Sequence, residues 1–220
     1  MRLLNQALVF PDPRLALKGE HNGLLAVGGD LSIERLLLAY RSGIFPWSVD
    51  PITWWSPDPR AIFDWDRLHI SRSLDKFLRK NPFRFTHNQA FREVMIACAR
   101  PGPGRTSTWI TSEFVDAYSI LHQAGHAHSV ECWKGDVLVG GIYGVQVGGF
   151  FAGESMFHHE SNASKAALLY LLSHLKSQGF DLFDTQVINP TTEQLGAIEV
   201  SREDYLRRLK HAVERHCTFH

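Results

Sequence analysis

Between about residues 128 and 187 the hydrophobic pattern switches from strand to helix and back, and this switch limits the folds open to the chain more than any other feature. HSVECW alternates as a strand, Lys134, Gly135 and Asp136 form a tight turn, and VLVGGIYGVQ and GFFAGESMF follow as strands divided at Gly148–Gly149. A helix then runs from about Asn162 to Gln178, with Asn162 or Ser161 as its cap and Gly179 as its end. FDLFDTQV returns to the strand pattern. A strand–helix–strand unit implies a parallel crossover, usually right-handed. The segment therefore reads as an antiparallel meander, a crossover helix and a parallel return strand in a mixed sheet, an α+β arrangement.

Upstream, the glycines of GLLAVGGDLS mark a turn, and Asp30 or Ser32 caps a helix carrying Ile33, Leu36, Leu37 and Tyr40 at helical spacing, stopped at Gly43. Pro46, Pro51, Pro57 and Pro59 prevent any long element from following. Residues 1–58 read as a small N-terminal domain and 59–220 as the main one. Three helices open the latter: SRSLDKFLRK over about 71–80, NQAFREVMIACAR from an Asn88 cap, and TSEFVDAYSILHQAG from Thr111 to Gly125. PGPGRTS at 101–107 reads as a loop, and Ser201 caps a last helix, SREDYLRRLKHAVER.

With 44% hydrophobic and 21% charged residues the chain can build a packed core rather than remain disordered. No apolar run approaches the roughly 18 residues of a membrane span, and MRLLNQALVFPDP lacks a signal-peptide pattern, so a cytoplasmic protein without membrane contact is expected. Cys98, Cys132 and Cys217 are odd in number and far apart, as thiols in a reducing compartment would be. The zero formal net charge argues against a general nucleic-acid coat but leaves room for a local basic face.

The return strand carries the sharpest chemical signal. Alternation places Phe180, Leu182, Asp184 and Gln186 on one face, so two polar groups end an apolar face near the strand's carboxyl end, where open sheets often bind ligands. Glu154 ends the preceding strand, which the crossover sets beside the return strand. The alternatives are that Asp184 satisfies local backbone and that Glu154 is an exposed turn carboxylate. His158–His159–Glu160 lacks the spacing of a metal site, so no metal and no cofactor are expected. Arg72, Lys76, Arg79 and Lys80 share one helical face, either a solvated surface or a contact for phosphates. Trp47, Trp54, Trp55 and Trp109 lie near expected loops, where aromatics are either core or base-stacking platforms.

These motifs together resemble the leucyl/phenylalanyl-tRNA–protein transferases. GLLAVGGDLS, GIFPW, WWSPDPR, HISRS, TWIT, GHAHSVE, LVGGIYGV, FAGESMF, NASK and DTQVIN run in the family's order from about residue 22 to 197. The resemblance implies a small N-terminal domain followed by a GNAT-type acyltransferase domain. It also implies transfer of leucine or phenylalanine, less readily methionine, from aminoacyl-tRNA to proteins beginning with arginine or lysine, which creates an N-terminal degradation signal. A monomer is expected. By position it assigns Asp184, Gln186 and Glu154 to catalysis and Ile142, Phe151, Leu168, Leu171, Leu175 and Phe183 to the side-chain pocket. Trp47, Trp109, Arg72, Lys76, Arg79 and Lys80 match tRNA-contacting positions. In this arrangement Asp184 is expected to hold the Gln186 side-chain amide. Thr185 stands where the family is expected to carry Cys, Asp75 interrupts the basic helix, and several pocket positions carry Leu or Ile in place of Met or Phe. A coenzyme-A acyltransferase of the same fold class is a rival, but FHHESNASK lacks the glycines of a pyrophosphate-binding turn. A non-catalytic RNA-binding adaptor would account for the basic helix but not for the grouped carboxylates and amide.

Overall fold

The structure is a computed structural model that describes residues 2–80, 82–101 and 108–220, so the loop expected at 101–107 lies outside the described residues from 102 onward. The chain begins with strands β1 (Arg2–Leu4) and β2 (Leu24–Gly28), helix α1 (Ile33–Arg41), and strands β3 (Phe45–Val49), β4 (Ile52–Trp55) and β5 (Arg60–Phe63). Helix α2 (Arg72–Leu78), strand β6 (Arg84–His87) and helices α3 (Phe91–Cys98) and α4 (Ser112–Gln123) come next. The meander is β7 (Ala127–Lys134), β8 (Val137–Val147) and β9 (Phe150–His158), followed by helix α5 (Ala163–Ser177) and the return strand β10 (Leu182–Gln186). Helix α6 (Pro190–Gln194), strand β11 (Ala197–Val200) and helix α7 (Arg202–Ala212) complete the order.

The strands form two sheets, ordered β1-β2-β4-β3 and β11-β5-β10-β9-β8-β7-β6. The expected meander pairs antiparallel, and β10 runs parallel to β9 with Leu182 opposite Phe150 and Asp184 opposite Ala152. Strands β5, β6 and β11, too short to announce themselves by period, extend this sheet on both sides; β5 pairs antiparallel with β10. Leu36, Ala39 and Tyr40 of α1 pack in one apolar cluster with Phe114, Tyr118 and Tyr143, so the smaller sheet's helix shares a core with the larger sheet. Among the described residues no helix is long and apolar enough to cross a membrane.

Local chemistry sets the helix ends. Ser32 and Ser201 accept the backbone N–H of Arg35 and Asp204, closing the first turns of α1 and α7. Glu203 and Asp204 open α7 while Lys210 and His211 close it, matching the helix dipole. Asn88 departs from expectation. It does not cap α3, which starts at Phe91; it adopts a left-handed φ of 60°, and its side-chain oxygen accepts the backbone N–H of Ser129 at 3.1 Å. A tertiary hydrogen bond to β7 has outcompeted the local cap.

One buried ion pair joins four parts of the chain. Arg60 on β5 donates through Nε and Nη2 to the two oxygens of Asp184 on β10, at 2.9 and 2.6 Å. The Tyr205 hydroxyl on α7 donates to the same carboxylate at 2.8 Å, and Arg60 Nη1 reaches the Gly43 carbonyl after α1 at 3.2 Å. The guanidinium also lies over the rings of Phe45 and Tyr205, 4.8 and 4.4 Å from their centroids. Both charges are out of solvent, so removing one strands the other. Asp184→Ala is expected to cost about 3–5 kcal/mol of stability in urea unfolding, and Arg60→Met in the same chain to recover part of it. A loss under about 1 kcal/mol would mean that the pair does not hold these elements together.

Candidate active site

Pairing between β9 and β10 stops at Ala152 and Asp184, although β9 continues to His158. Past that point the two strands part, and a cavity of about 250 Å³ opens between them, lined by Ile142, Glu154, Leu168, Phe183, Thr185 and Gln186 among others. Gly153 permits the close packing beneath it, because a Cβ there would stand 2.6 Å from the Phe183 ring.

A bulge on each strand aims the polar groups. On β9, Ser155 faces Tyr143 and Gly153 faces Gly144, which leaves Glu154 as the extra residue. The shift resets alternation: Phe150, Ala152 and Phe157 belong to one core cluster while Phe151 and Met156 pack in the other. On β10, Asp184 faces Ile62 and Gln186 faces Ala61, which leaves Thr185 extra. Gln186 sits at a left-handed φ of 58°, a conformation costing a β-carbon residue of order 1–3 kcal/mol. Its backbone N–H donates to Asp184 Oδ1 at 2.8 Å, so the buried carboxylate secures the bulge.

Two expectations are corrected by this geometry. Asp184 and Gln186 do not share a face, because the bulge breaks the alternation that would place them together. Asp184 has no exposed surface and is filled by Arg60, Tyr205 and the Gln186 backbone, whereas Gln186 lines the cavity. Nor does Asp184 hold the Gln186 side-chain amide. Gln186 Nε2 donates to Glu154 Oε1 at 2.9 Å. With its NH₂ so engaged, the Gln186 carbonyl oxygen is left to accept from a partner in the cavity.

Glu154 is a half-buried carboxyl with no salt-bridge partner among the described residues. Burial pushes its pKa up to about 8; hydrogen bonds from Tyr40 and Gln186 and the Arg60 charge oppose that rise, and the Asp184 charge adds to it. The Tyr40 hydroxyl bonds in turn to that of Tyr118. Burial, followed by the Glu154 charge, holds both phenols well above the ordinary range, so both remain protonated. Tyr40 and Tyr118 carry no chemical mark in the sequence: each occupies a regular apolar position on α1 or α4. Arg60 and Tyr205 were also missed. Arg60 offered one hint, a guanidinium opening the otherwise apolar strand RAIF.

Of the expected pocket residues, Ile142, Leu168 and Phe183 line the cavity. Phe151, Leu171 and Leu175 are buried behind it in the same cluster. Trp47 and Trp109 do not line it. Trp47 is 36% exposed and packs on Phe45, 5.6 Å between ring centroids, one ring from Arg60; Trp109 is half-buried against Phe114. Arg72, Lys76, Arg79 and Lys80 are exposed, and Asp75 engages Arg79 at 2.9 Å. The start of α2 borders a second cavity of about 470 Å³, which Glu193 and Gln194 of α6 also line. Thr192 on the same short helix lines the first cavity.

A family described as leucyl/phenylalanyl-tRNA protein transferase matches residues 62–210, and its N-terminal domain matches residues 29–58. Curated leucyl/phenylalanyl-tRNA–protein transferases from Shewanella sp. (strain W3-18-1) and Shewanella baltica (strain OS185) are 55% identical over 202 and 203 residues. Each match covers 91% of this chain and 85% of the relative. Among solved structures, that of L-PGS from Bacillus licheniformis aligns with a TM-score of 0.47 at 14% identity, over 86% of this chain and 72% of that one. Placed beside the paired bulges and the cavity between β9 and β10, matches of this length show that the chain belongs to the leucyl/phenylalanyl-tRNA–protein transferase family of enzymes.

Proposed function

We propose that the protein transfers leucine or phenylalanine, and methionine less readily, from aminoacyl-tRNA to the N-terminal arginine or lysine of acceptor proteins, creating an N-terminal degradation signal. The observation that carries this reading is the hydrogen-bonded Gln186–Glu154 pair in a cavity that also presents the apolar side chains of Ile142, Met156, Leu168 and Phe183. Residues 59–220 act as a GNAT-type acyltransferase domain and residues 1–58 as a small domain that completes it. The protein works as a monomer in the cytoplasm.

The donor is an ester and the product an amide, so the reaction runs downhill without another energy source. The acceptor's α-amine nitrogen attacks the ester carbonyl, a C–N bond forms, and the C–O bond to the terminal ribose breaks. The ribose oxygen leaves with the electron pair and takes up the proton that the amine gives away. An α-amine has a pKa of about 7.7–8.0, so a useful fraction is neutral at cellular pH. The enzyme's task is chiefly positioning. Ile142, Leu168 and Phe183 receive the donor side chain, backed by Phe151, Leu171 and Leu175. A methylene or two is worth only about 1–3 kcal/mol in such a pocket, which explains overlapping donors. Glu154 holds the Gln186 amide, and the Gln186 oxygen accepts from the amine and directs its lone pair. Asp184 touches no substrate; it is a positioning residue that holds the Gln186 backbone. Trp47 and Trp109 contact the tRNA's terminal nucleotide, and Arg72, Lys76, Arg79 and Lys80 its phosphates.

Three measurements test this reading. Gln186→Asn keeps an amide that tolerates the left-handed backbone but withdraws it by a methylene, so kcat should fall about 100-fold in transfer of labelled leucine to an Arg-starting peptide. Near-normal turnover would remove Gln186 from the mechanism. The folded Glu154 carboxyl titrates near 8, against 4.5 for the ordinary group, so the folded state binds the extra proton between those values. Its stabilising contribution is full below pH 4.5 and is lost as pH rises towards 8. Glu154→Gln should flatten that part of the stability–pH curve, and an unaltered slope would place the carboxyl in water. Charge reversal at Arg72, Lys76 and Lys80 should weaken tRNA binding and reduce its logarithmic salt slope by about 0.7–0.9 per cation lost. A constant slope assigns α2 to ordinary surface.

A further inference from the structure

Phe183 is one of the apolar side chains lining the cavity between β9 and β10, and its ring does not stand alone. Phe151 stacks behind it with centroids 5.8 Å apart and planes 18° apart. Phe219 stacks behind Phe151 at 5.8 Å and 24°. His128 closes the column against Phe219 at 4.3 Å and 15°. Phe219 belongs to none of the helices or strands, yet it is only 7% exposed and shares the apolar cluster of Leu168, Leu171 and Leu175.

The far end of this column is fixed. Asn88 Oδ1 accepts the Ser129 backbone N–H, which sets the orientation of the amide, and Asn88 Nδ2 then donates to His128 Nδ1 at 3.1 Å. Burial pushes the pKa of His128 down to about 4, so a neutral ring faces Phe219. The segment carrying Phe219 is tied to the sheet as well, because Gln146 Nε2 donates to the Cys217 carbonyl at 2.7 Å. His174 adds an edge contact to Phe219 at 4.9 Å. Packed interiors transmit displacement because they contain little free volume.

We propose that Phe219 is a specificity-determining residue: by backing Phe151, and through it Phe183, it sets the depth of the cavity that receives the donor side chain. It touches no substrate and acts through the two rings in front of it. The inference rests on the proposed reaction, with this cavity as the donor pocket. Shortening Phe219 lets Phe151 settle backwards and Phe183 follow, and the deeper cavity then favours the longer aromatic donor over leucine.

The test compares kcat/KM for leucyl-tRNA and phenylalanyl-tRNA with one Arg-starting peptide, in the unaltered protein and in Phe219→Leu and Phe219→Ala. The phenylalanine-to-leucine ratio should rise about 3- to 30-fold in Phe219→Ala, and less but in the same direction in Phe219→Leu, which keeps most of the packing volume. A purely structural role would lower both donors by one common factor. A ratio unchanged in Phe219→Leu, or moved towards leucine, overturns the proposal even if Phe219→Ala fails to fold. Unaltered protein that transfers neither residue defeats the reaction itself, whereas normal transfer with a ratio insensitive to Phe219 defeats only the role of this ring.

Discussion

The buried Arg60–Asp184 pair is the constraint around which the larger sheet and its candidate site are arranged. Two charges without solvent are tolerable only when each is fully engaged. Asp184 accepts two bonds from the guanidinium, one from Tyr205 and one from the Gln186 backbone. Satisfying them fixes β5 against β10, draws in α7, and reaches the turn after α1 through the Gly43 carbonyl. The bond that Asp184 accepts from the Gln186 backbone shapes the candidate site, because it holds Gln186 in a backbone conformation that a non-glycine residue does not choose unaided.

The site that results is a local departure from regular sheet. Two neighbouring strands, paired in parallel up to Asp184 and Ala152, each carry one surplus residue just beyond that point. Without the bulges, alternation would place Gln186 on the side occupied by Asp184. With them, the Gln186 amide and the Glu154 carboxyl meet across the gap at 2.9 Å. The smaller sheet's helix contributes from behind: Tyr40 reaches Glu154 and is joined to Tyr118 on α4. The carboxyl therefore sits among groups from three regions far apart in sequence, and the resulting desolvation raises its pKa to about 8.

Much of the framework was legible in the chain. The meander, the long helix with its apolar positions and the parallel return strand follow from periodicities of 2 and 3.6, which record side-chain burial directly. Ser32 and Ser201 announced their helices because capping is settled within three residues. Asn88 misled because its amide was claimed by Ser129, 41 positions away. Strands β5, β6 and β11, of four residues each, are too brief for a period to emerge.

The candidate chemistry divides along the same line. Residue order and type were enough to set Asp184, Gln186 and Glu154 on adjacent strands, because crossover topology is a local consequence of the chain, although Glu154 lies within β9 and not at its end. Which amide meets which carboxylate was decided only in three dimensions. Asp184 finds its counter-charge 124 residues upstream, in an arginine whose partner nothing nearby could name. Bulges and a left-handed residue are set by the neighbouring strand, not by the strand that contains them. Desolvation, which turns Glu154 from an ordinary carboxylate into a weak acid, depends on every group packed around it and has no representation in linear order.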